Sequence, residues 1–308
     1  MKKLLIVCGF ALLGLQNTSA QVNLGDFKIG AGLGVGTTGI VIDASATYGD
    51  YLGARFGVDI MPKIKVNTDI NLGTKAASAS MSQLTAKAND INTAYKALHP
   101  GAGDVIDMSN PIFQNKLPEK MDVQGKLNNT TWHFLVDVYP FGASSSFHAT
   151  VGAFFGPSEI VNVYNKEEGF LKPVTQWNEA VRNPDPSYAA SIAGQEMIGA
   201  KLGKYFITPD PKDNGNVEAT LEVNGFRPYL GLGFGRAVPK GRIGCQFDLG
   251  VQFWGKPKVY APTYDNGVYQ REKLEEGSVE GDGGDAIKTI SKFSVYPVLN
   301  FRLVGRIL

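Results

Sequence analysis

The sequence predicts an all-β protein, a membrane-spanning antiparallel up-and-down β-barrel of eight strands with three long, partly helical extracellular loops. Three observations support this prediction. Eight segments alternate between apolar and small or polar residues with a period of two. Short and long connections between these segments alternate along the chain. A leader precedes the first segment, and no later apolar run reaches the length of about 18 residues expected of a membrane helix.

The composition fits a closed antiparallel sheet better than a helical membrane protein. Among 308 residues there are 37 glycines, and aromatic residues make up 10%. The mean hydropathy is −0.09, which suits a barrel because only every second residue of a strand faces lipid. The formal net charge of +1 provides no electrostatic basis for binding nucleic acid.

Residues 1–20 have the features of a secretory signal peptide. Lys2 and Lys3 form a positive start, and the apolar stretch Leu4–Leu15 is too short to span a bilayer. The small and polar run Asn17–Ala20 provides a cleavage region. We therefore expect cleavage near Ala20, an outer-membrane location, and a mature chain of residues 21–308 that forms one barrel.

The eight alternating segments each have an apolar face that is nearly free of charge. Their second face is mostly glycine with few charges, whereas the water-facing side of a soluble sheet favours lysine. This pattern indicates a confined polar lumen and an outer face in contact with outer-membrane lipid. The segments are Phe27–Gly36, Ile40–Thr47, Leu52–Ile60, Trp132–Val138, Phe147–Phe155, Arg227–Gly235, Ile243–Phe253 and Val295–Ile307.

The connections predict the orientation. Gly49-Asp50, Phe141–Ser144 and Pro239–Arg242 are short and alternate with the others. On the opposite side lie the tight turn Thr37–Gly39 and long loops at about 62–131, 156–225 and 255–292. Short periplasmic turns and long extracellular loops are typical of outer-membrane barrels, and an even strand number returns both termini to the periplasm.

The long loops are expected to have structure of their own. Helical stretches are predicted at Met81–Leu98, Thr175–Val181 and Ser191–Leu202. The alternation also continues through Lys63–Leu72 and Met121–Thr131, so the third and fourth strands should extend above the membrane.

The C-terminal run Tyr296–Leu308 resembles the last-strand signal of outer-membrane barrels. The whole mature chain is similar in hairpin spacing to the small eight-stranded OmpA/OmpX/OmpW-like superfamily, although Leu308 replaces the usual terminal aromatic residue. The resemblance implies recognition of the last strand by the outer-membrane assembly machinery. It implies no catalytic residues.

Charged residues on the inward faces nearly balance. An eight-stranded barrel is just wide enough to be filled by its own side chains, and buried charges must pair or cost several kcal/mol. We therefore predict a structural network of interlocking charges, with a gated path for a small solute as the alternative. The residues are Lys28, Asp43, Arg55, Asp59, Asp137, Arg227, Asp248, Arg302 and Arg306.

Other candidate sites are weaker. His133 and His148 could approach one another with Asp137 as a third metal ligand, but an inward histidine beside aspartate is more often a hydrogen-bonded core element. The acidic, glycine-rich stretch Glu272–Asp285 could bind calcium through oxygen ligands, but a solvated loop tip is the interpretation that we favour. No catalytic constellation is recognisable, so we predict no enzymatic activity, no metal and no cofactor.

The sequence thus predicts a non-enzymatic integral outer-membrane protein whose extracellular loops bind a partner. Long ordered loops in a barrel are usually functional. The partner could be another envelope protein, with this chain an accessory subunit of a larger outer-membrane complex. The alternative is a narrow porin-like channel for small or hydrophobic solutes.

Overall fold

The computed structural model describes residues 26–63, 65–71, 77–114, 120–202, 204–265, 268–275 and 288–308. The predicted signal peptide and most of the acidic stretch Glu272–Asp285 lie outside these residues. Within them, no helix combines the length and the hydropathy that crossing a bilayer requires.

Strands dominate the described chain. The strands are β1 (Phe27–Gly36), β2 (Gly39–Tyr48), β3 (Leu52–Ile60), β4 (Lys65–Asn71), β5 (Lys120–Leu127), β6 (Thr131–Val138), β7 (Phe147–Phe155), β8 (Glu159–Asn165), β9 (Ala200–Leu202), β10 (Tyr205–Ile207), β11 (Glu218–Glu222), β12 (Phe226–Phe234), β13 (Ile243–Phe253), β14 (Lys258–Asp265), β15 (Val268–Leu274) and β16 (Val295–Arg306). The α-helices are α1 (Ala77–Leu98), α2 (Pro111–Gln114), α3 (Lys172–Arg182) and α4 (Ala189–Ile192).

Eight strands form a closed antiparallel barrel in the order β1-β16-β13-β12-β7-β6-β3-β2. The first and last strands close it, with Gly30 opposite Arg306 and Gly36 opposite Asn300. The predicted fold class is confirmed, and the barrel strands begin and end within one or two residues of the predicted segments. The prediction succeeds because period-two alternation follows directly from strand geometry.

The two faces of the barrel wall have opposite character. Large apolar side chains point outward and are exposed, including Leu232 at 54%, Leu249 at 57% and Phe301 at 46%. Their inward-facing neighbours are buried. A soluble monomer rarely exposes so large a contiguous apolar surface, whereas a membrane-spanning barrel carries such a band around its circumference.

The long loops form a second sheet, which we call the outer sheet. Its strand order is β4-β5-β8-β11-β14-β10-β9, and β15 pairs with β14. Strands β4 and β5 lie where the sequence predicts continuation of the third and fourth barrel strands.

Helices α1 and α3 contribute to an apolar core of the loop region. Leu84, Ala88 and Ile91 recur at helical spacing on α1 and pack with Trp177 of α3. These helices contain the predicted stretches Met81–Leu98 and Thr175–Val181.

The helix predicted over Ser191–Leu202 is wrong beyond Ile192. Helix α4 ends there, and residues 200–202 form β9 instead. Gly194 adopts a positive φ of 73°, a conformation that ends helices and that glycine adopts without strain.

Candidate functional site

The barrel lumen contains a buried network of charged side chains centred on Arg55. Its Nη1 lies 2.8 Å from Asp248 Oδ2, and its Nη2 lies 2.7 Å from Asp137 Oδ1. The three side chains are at most 3% exposed. Thr150 also donates a hydrogen bond to Asp137 Oδ1 at 2.7 Å. One guanidinium therefore bridges two carboxylates from different strands, which is the pairing that buried charges require.

A second arginine lies against the glycine face of β1. Arg302 binds Asp43 and donates a hydrogen bond to Gln246. A Cβ at Gly32 would lie 2.5 Å from Arg302 Nη2, and one at Gly34 would lie 2.6 Å from Arg302 Cγ. Glycine in this strand therefore provides the space that the arginine occupies.

His133 links the network to the outer end of the barrel. Its Nδ1 lies 2.5 Å from Asp59 Oδ2, and Thr38 donates a hydrogen bond to Asp59 Oδ1 at 2.6 Å. The Nε2 atom lies 4.0 Å from Asp43 Oδ2. His133 thus stands between two carboxylates and interacts directly with one of them.

The only His/Cys/Asp/Glu group among the described residues with metal-site spacing comprises Asp137, His148 and Asp248, whose ligand atoms lie within 4.8 Å of one another. His148 Nε2 is 2.9 Å from Asp248 Oδ1. Arg55 already binds both carboxylates, so a cation of the chain itself neutralises their charge. The candidate pairing of His133 with His148 is wrong, because His133 binds Asp59 instead.

Three residues of the predicted charge network, Lys28, Arg227 and Arg306, lie outside these ion pairs. Arg227 is fully buried but donates to the oxygens of Asn129, Pro157 and Asn224, none of them charged. The inward-facing Phe154 and Tyr229 pack at this end of the barrel, and Arg227 occupies the neighbouring inward position of β12.

Lys28 and Arg306 lie near the ends of β1 and β16, where water reaches the barrel mouth. Lys28 is half-buried, and Arg306 is exposed and donates a hydrogen bond to the carbonyl of Lys240. Neither forms an ion pair within the described parts of the chain. The structure therefore joins Asp43, Arg55, Asp59, Asp137, Asp248 and Arg302 and leaves Lys28, Arg227 and Arg306 apart from them.

Neutral partners complete the network and were not part of the predicted set. Gln246 bonds Arg302 and approaches His148, and Thr38 and Thr150 bond carboxylates. Thr150 and Gln246 occupy inward-facing positions of β7 and β13, so the alternation pattern could have identified them as residues of the network. Thr38 lies in a turn, where no alternation marks it.

An apolar layer also fills the lumen. Leu135, Phe154, Tyr229 and Val298 form one buried cluster from four different strands. The lumen thus holds a buried apolar cluster in addition to the charged network, as expected for an eight-stranded barrel packed by its own side chains.

The outer sheet has one apolar and one polar face. Val163 and Val259 belong to the apolar face and pack into cores with α3 and with β10. The other face, which we call the polar face, has an in-register row across the sheet. The row comprises Lys65, Lys126, Asn162, Thr220, Tyr260 and Lys273.

Arg271 organises the charges of the polar face. Its Nη2 lies 2.7 Å from Glu222 and 3.1 Å from Glu159, and its guanidinium stacks 4.4 Å above the Tyr260 ring. The adjoining pocket of about 420 Å³ is lined by Tyr269, Gln270 and other polar residues. Burial raises the pKa of the Tyr269 hydroxyl. Tyrosine and arginine are enriched in protein interfaces, where they supply much of the binding energy.

The sequence matches no protein-family model and no curated protein sequence. Among solved structures, the chain is similar to CarO of Acinetobacter baumannii, with 13% identity and a TM-score of 0.40 over 90% of this chain and 97% of that one. CarO2 of the same organism has 13% identity and a TM-score of 0.41 over 91% of this chain and 98% of that one. A major outer membrane protein from Thermus thermophilus has 14% identity and a TM-score of 0.33 over 91% of this chain and 98% of that one.

The fold assignment rests on the strand pairing and on the apolar outer surface of this chain. The fold is a closed barrel of eight antiparallel strands with an apolar outer surface.

Proposed function

We propose that this chain is a non-enzymatic outer-membrane protein that binds a protein partner through the polar face of its outer sheet. The barrel anchors this sheet in the membrane. The partner is another envelope protein, and the chain is an accessory subunit of the assembly that the two form.

The observation that carries this proposal is the unequal covering of the outer sheet. Its apolar face packs against α3 and forms a cluster among its own strands β10, β14 and β15, whereas the polar face leaves Arg271 44% exposed among carboxylates and tyrosines. A loop that only closed a barrel would need no ordered sheet of this extent, since long ordered loops are usually functional.

The filled lumen favours an anchor over a narrow channel. Arg55, Asp137 and Asp248 interlock at 2.7–2.8 Å inside the barrel, and the apolar layer adds a second obstruction. Single-channel recording of the purified barrel tests this choice. We expect no conductance above that of the protein-free bilayer, and stable, reproducible openings would favour the channel.

Site-specific photo-crosslinking in intact cells tests partner binding. Crosslinkers at Lys258 and Lys273, which are exposed on the polar face, should yield an adduct of defined mass, whereas one at the exposed Gln195, outside the sheet strands, should not. Arg271→Glu should abolish the adduct, because it reverses the charge at the centre of the face. Equal yields at all three positions, or an adduct that survives Arg271→Glu, would contradict the proposal.

Export and insertion form part of the same proposal. Cleavage near Ala20 gives a mature protein that begins at Gln21, and the C-terminal strand engages the assembly machinery. N-terminal sequencing of the protein from the outer-membrane fraction tests the first step. An intact Met1 there, or a soluble periplasmic protein, would contradict it.

A further inference from the structure

Two lysines face one another at the free edge of the outer sheet. Lys65 of β4 lies directly opposite Lys126 of β5 in the antiparallel register. Directly opposed side chains on neighbouring strands have Cβ atoms about 5 Å apart, and like charges in this arrangement destabilise the pair. Such a pair is favoured when an anion lies between the two ammonium groups.

Among the side chains that the structure describes, no carboxylate supplies that anion. Within the residues described, neither lysine has a hydrogen bond or an ion pair, and the same holds for the nearby Lys63. Lys63 and Lys65 are exposed, and Lys126 is half-buried. On the other side of Lys126, the opposed residue is the neutral Asn162. These three lysines are called the lysine cluster below.

The lysine cluster stands directly above the lipid-facing surface. The strand that leads to Lys63 and Lys65 ends at Ile60, which is 41% exposed, and the next strand begins beside Trp132, which is 50% exposed. Trp132 stacks on the outward-facing Phe56 at 5.9 Å. Aromatic side chains of this kind mark the membrane–water interface, and lysine stems can extend along apolar surface while the ammonium remains in the polar layer.

The edge is also open to lipid from the side. Strand β4 is the terminal strand of the outer sheet within the described chain. The neighbouring barrel strands β1 and β2 join through the tight turn at Thr37–Thr38 and do not extend into that sheet. A headgroup beside this hairpin can therefore approach the lysine cluster without displacing a strand.

We propose that Lys63, Lys65 and Lys126 bind the phosphate groups of a phosphorylated lipid in the adjoining leaflet. The lipid's acyl chains lie against the apolar surface around Trp132 and Ile60, and its phosphate neutralises the opposed lysines. Lys65 and Lys126 lie at the β4 edge of the polar face, whereas Arg271 lies on β15, which pairs with β14. Lipid binding at this edge therefore does not require the partner that Arg271 contacts.

The test measures binding of lipid A to the purified, folded protein by native mass spectrometry. Each lysine near an anionic surface contributes on the order of 1 kcal/mol, so Lys65→Gln with Lys126→Gln should weaken binding about 30-fold. The paired substitution to arginine, which preserves both charges, should retain binding. Lys172→Gln with Lys212→Gln removes the same charge from exposed positions at α3 and near β11, and should have no effect.

Two further ligands identify the group recognised. Dephosphorylated lipid A should bind weakly to the unaltered protein, and inorganic phosphate should compete poorly because it lacks acyl chains. Equal binding of phosphorylated and dephosphorylated lipid would overturn the proposal. Unchanged lipid affinity after Lys65→Gln with Lys126→Gln would also overturn it, as would an equal loss of affinity in the Lys172→Gln, Lys212→Gln control. Heat-modifiable gel mobility verifies that every variant is folded.

Discussion

The barrel and the outer sheet use similar ion clusters in opposite environments. In the lumen, Arg55 binds Asp137 and Asp248 with its side chain 3% exposed. On the polar face, Arg271 binds Glu159 and Glu222 with its side chain 44% exposed. Similar contacts therefore differ in consequence, because a buried charge without a partner has no water to solvate it, whereas an exposed one remains hydrated.

The two sheets also reverse their apolar sides. The barrel turns its apolar residues outward and encloses its charges, whereas the outer sheet packs its apolar face against α3. The same alternation of apolar and polar residues therefore suits two different surroundings. In the barrel it separates lipid from a packed polar interior, and in the outer sheet it separates an apolar core from water.

The sharpest test of this comparison is Arg55→Ala. It leaves two buried carboxylates without their shared cation, and the expected loss is about 3–5 kcal/mol of unfolding free energy. Urea unfolding in lipid vesicles measures the loss. Asp248→Ala should destabilise for the same reason, and a barrel as stable as the unaltered one in both variants would mean that the lumen is hydrated.

Trp177→Ala addresses the loop region. Trp177 is 3% exposed in the core formed with α1 and donates a hydrogen bond to the Glu196 carbonyl. Replacing it should destabilise this region by about 3–5 kcal/mol. We expect new protease cleavage in the loops while the barrel keeps its heat-modifiable gel mobility. Concurrent loss of both would show that the two regions unfold as one unit.

Leu232→Arg tests the outward face of the barrel. A cation near the bilayer midplane of a barrel costs about 2–4 kcal/mol, measured by folding in vesicles. Leu232→Ala is the matched control, because it removes apolar area without adding charge and should cost less. Equal costs for the two substitutions would place this residue outside the hydrocarbon layer.

The smallest expected effect is that of Arg271→Ala, the exposed counterpart of Arg55→Ala. Exposed ion pairs contribute about 0–1 kcal/mol, so the unfolding free energy should change little while partner crosslinking falls. A loss of stability as large as that of Arg55→Ala would remove the distinction between the two clusters.

Alternation alone located the barrel strands, since each inward or outward position is a local property of the chain. It also placed Asp43, Arg55, Asp59, Asp137, Asp248 and Arg302 on the inward side. It could not show that Lys28 and Arg306 lie outside the buried network, because inward-facing positions near the strand ends lie beyond the lumen and are exposed to water. Nor could it show that Arg227 has only neutral partners.

The sequence by itself determined the strand number, the two faces of the wall and the residues that fill the lumen. Only the tertiary structure decided which charges meet. Arg55 lies 82 residues from Asp137 and 193 from Asp248, and Arg302 lies 259 residues from Asp43. Such contacts depend on how the strands tilt and shift as the barrel closes. The outer sheet likewise required the fold, because its strands come from three separate loops and the pairs β5–β8, β11–β14 and β10–β14 join strands of different loops.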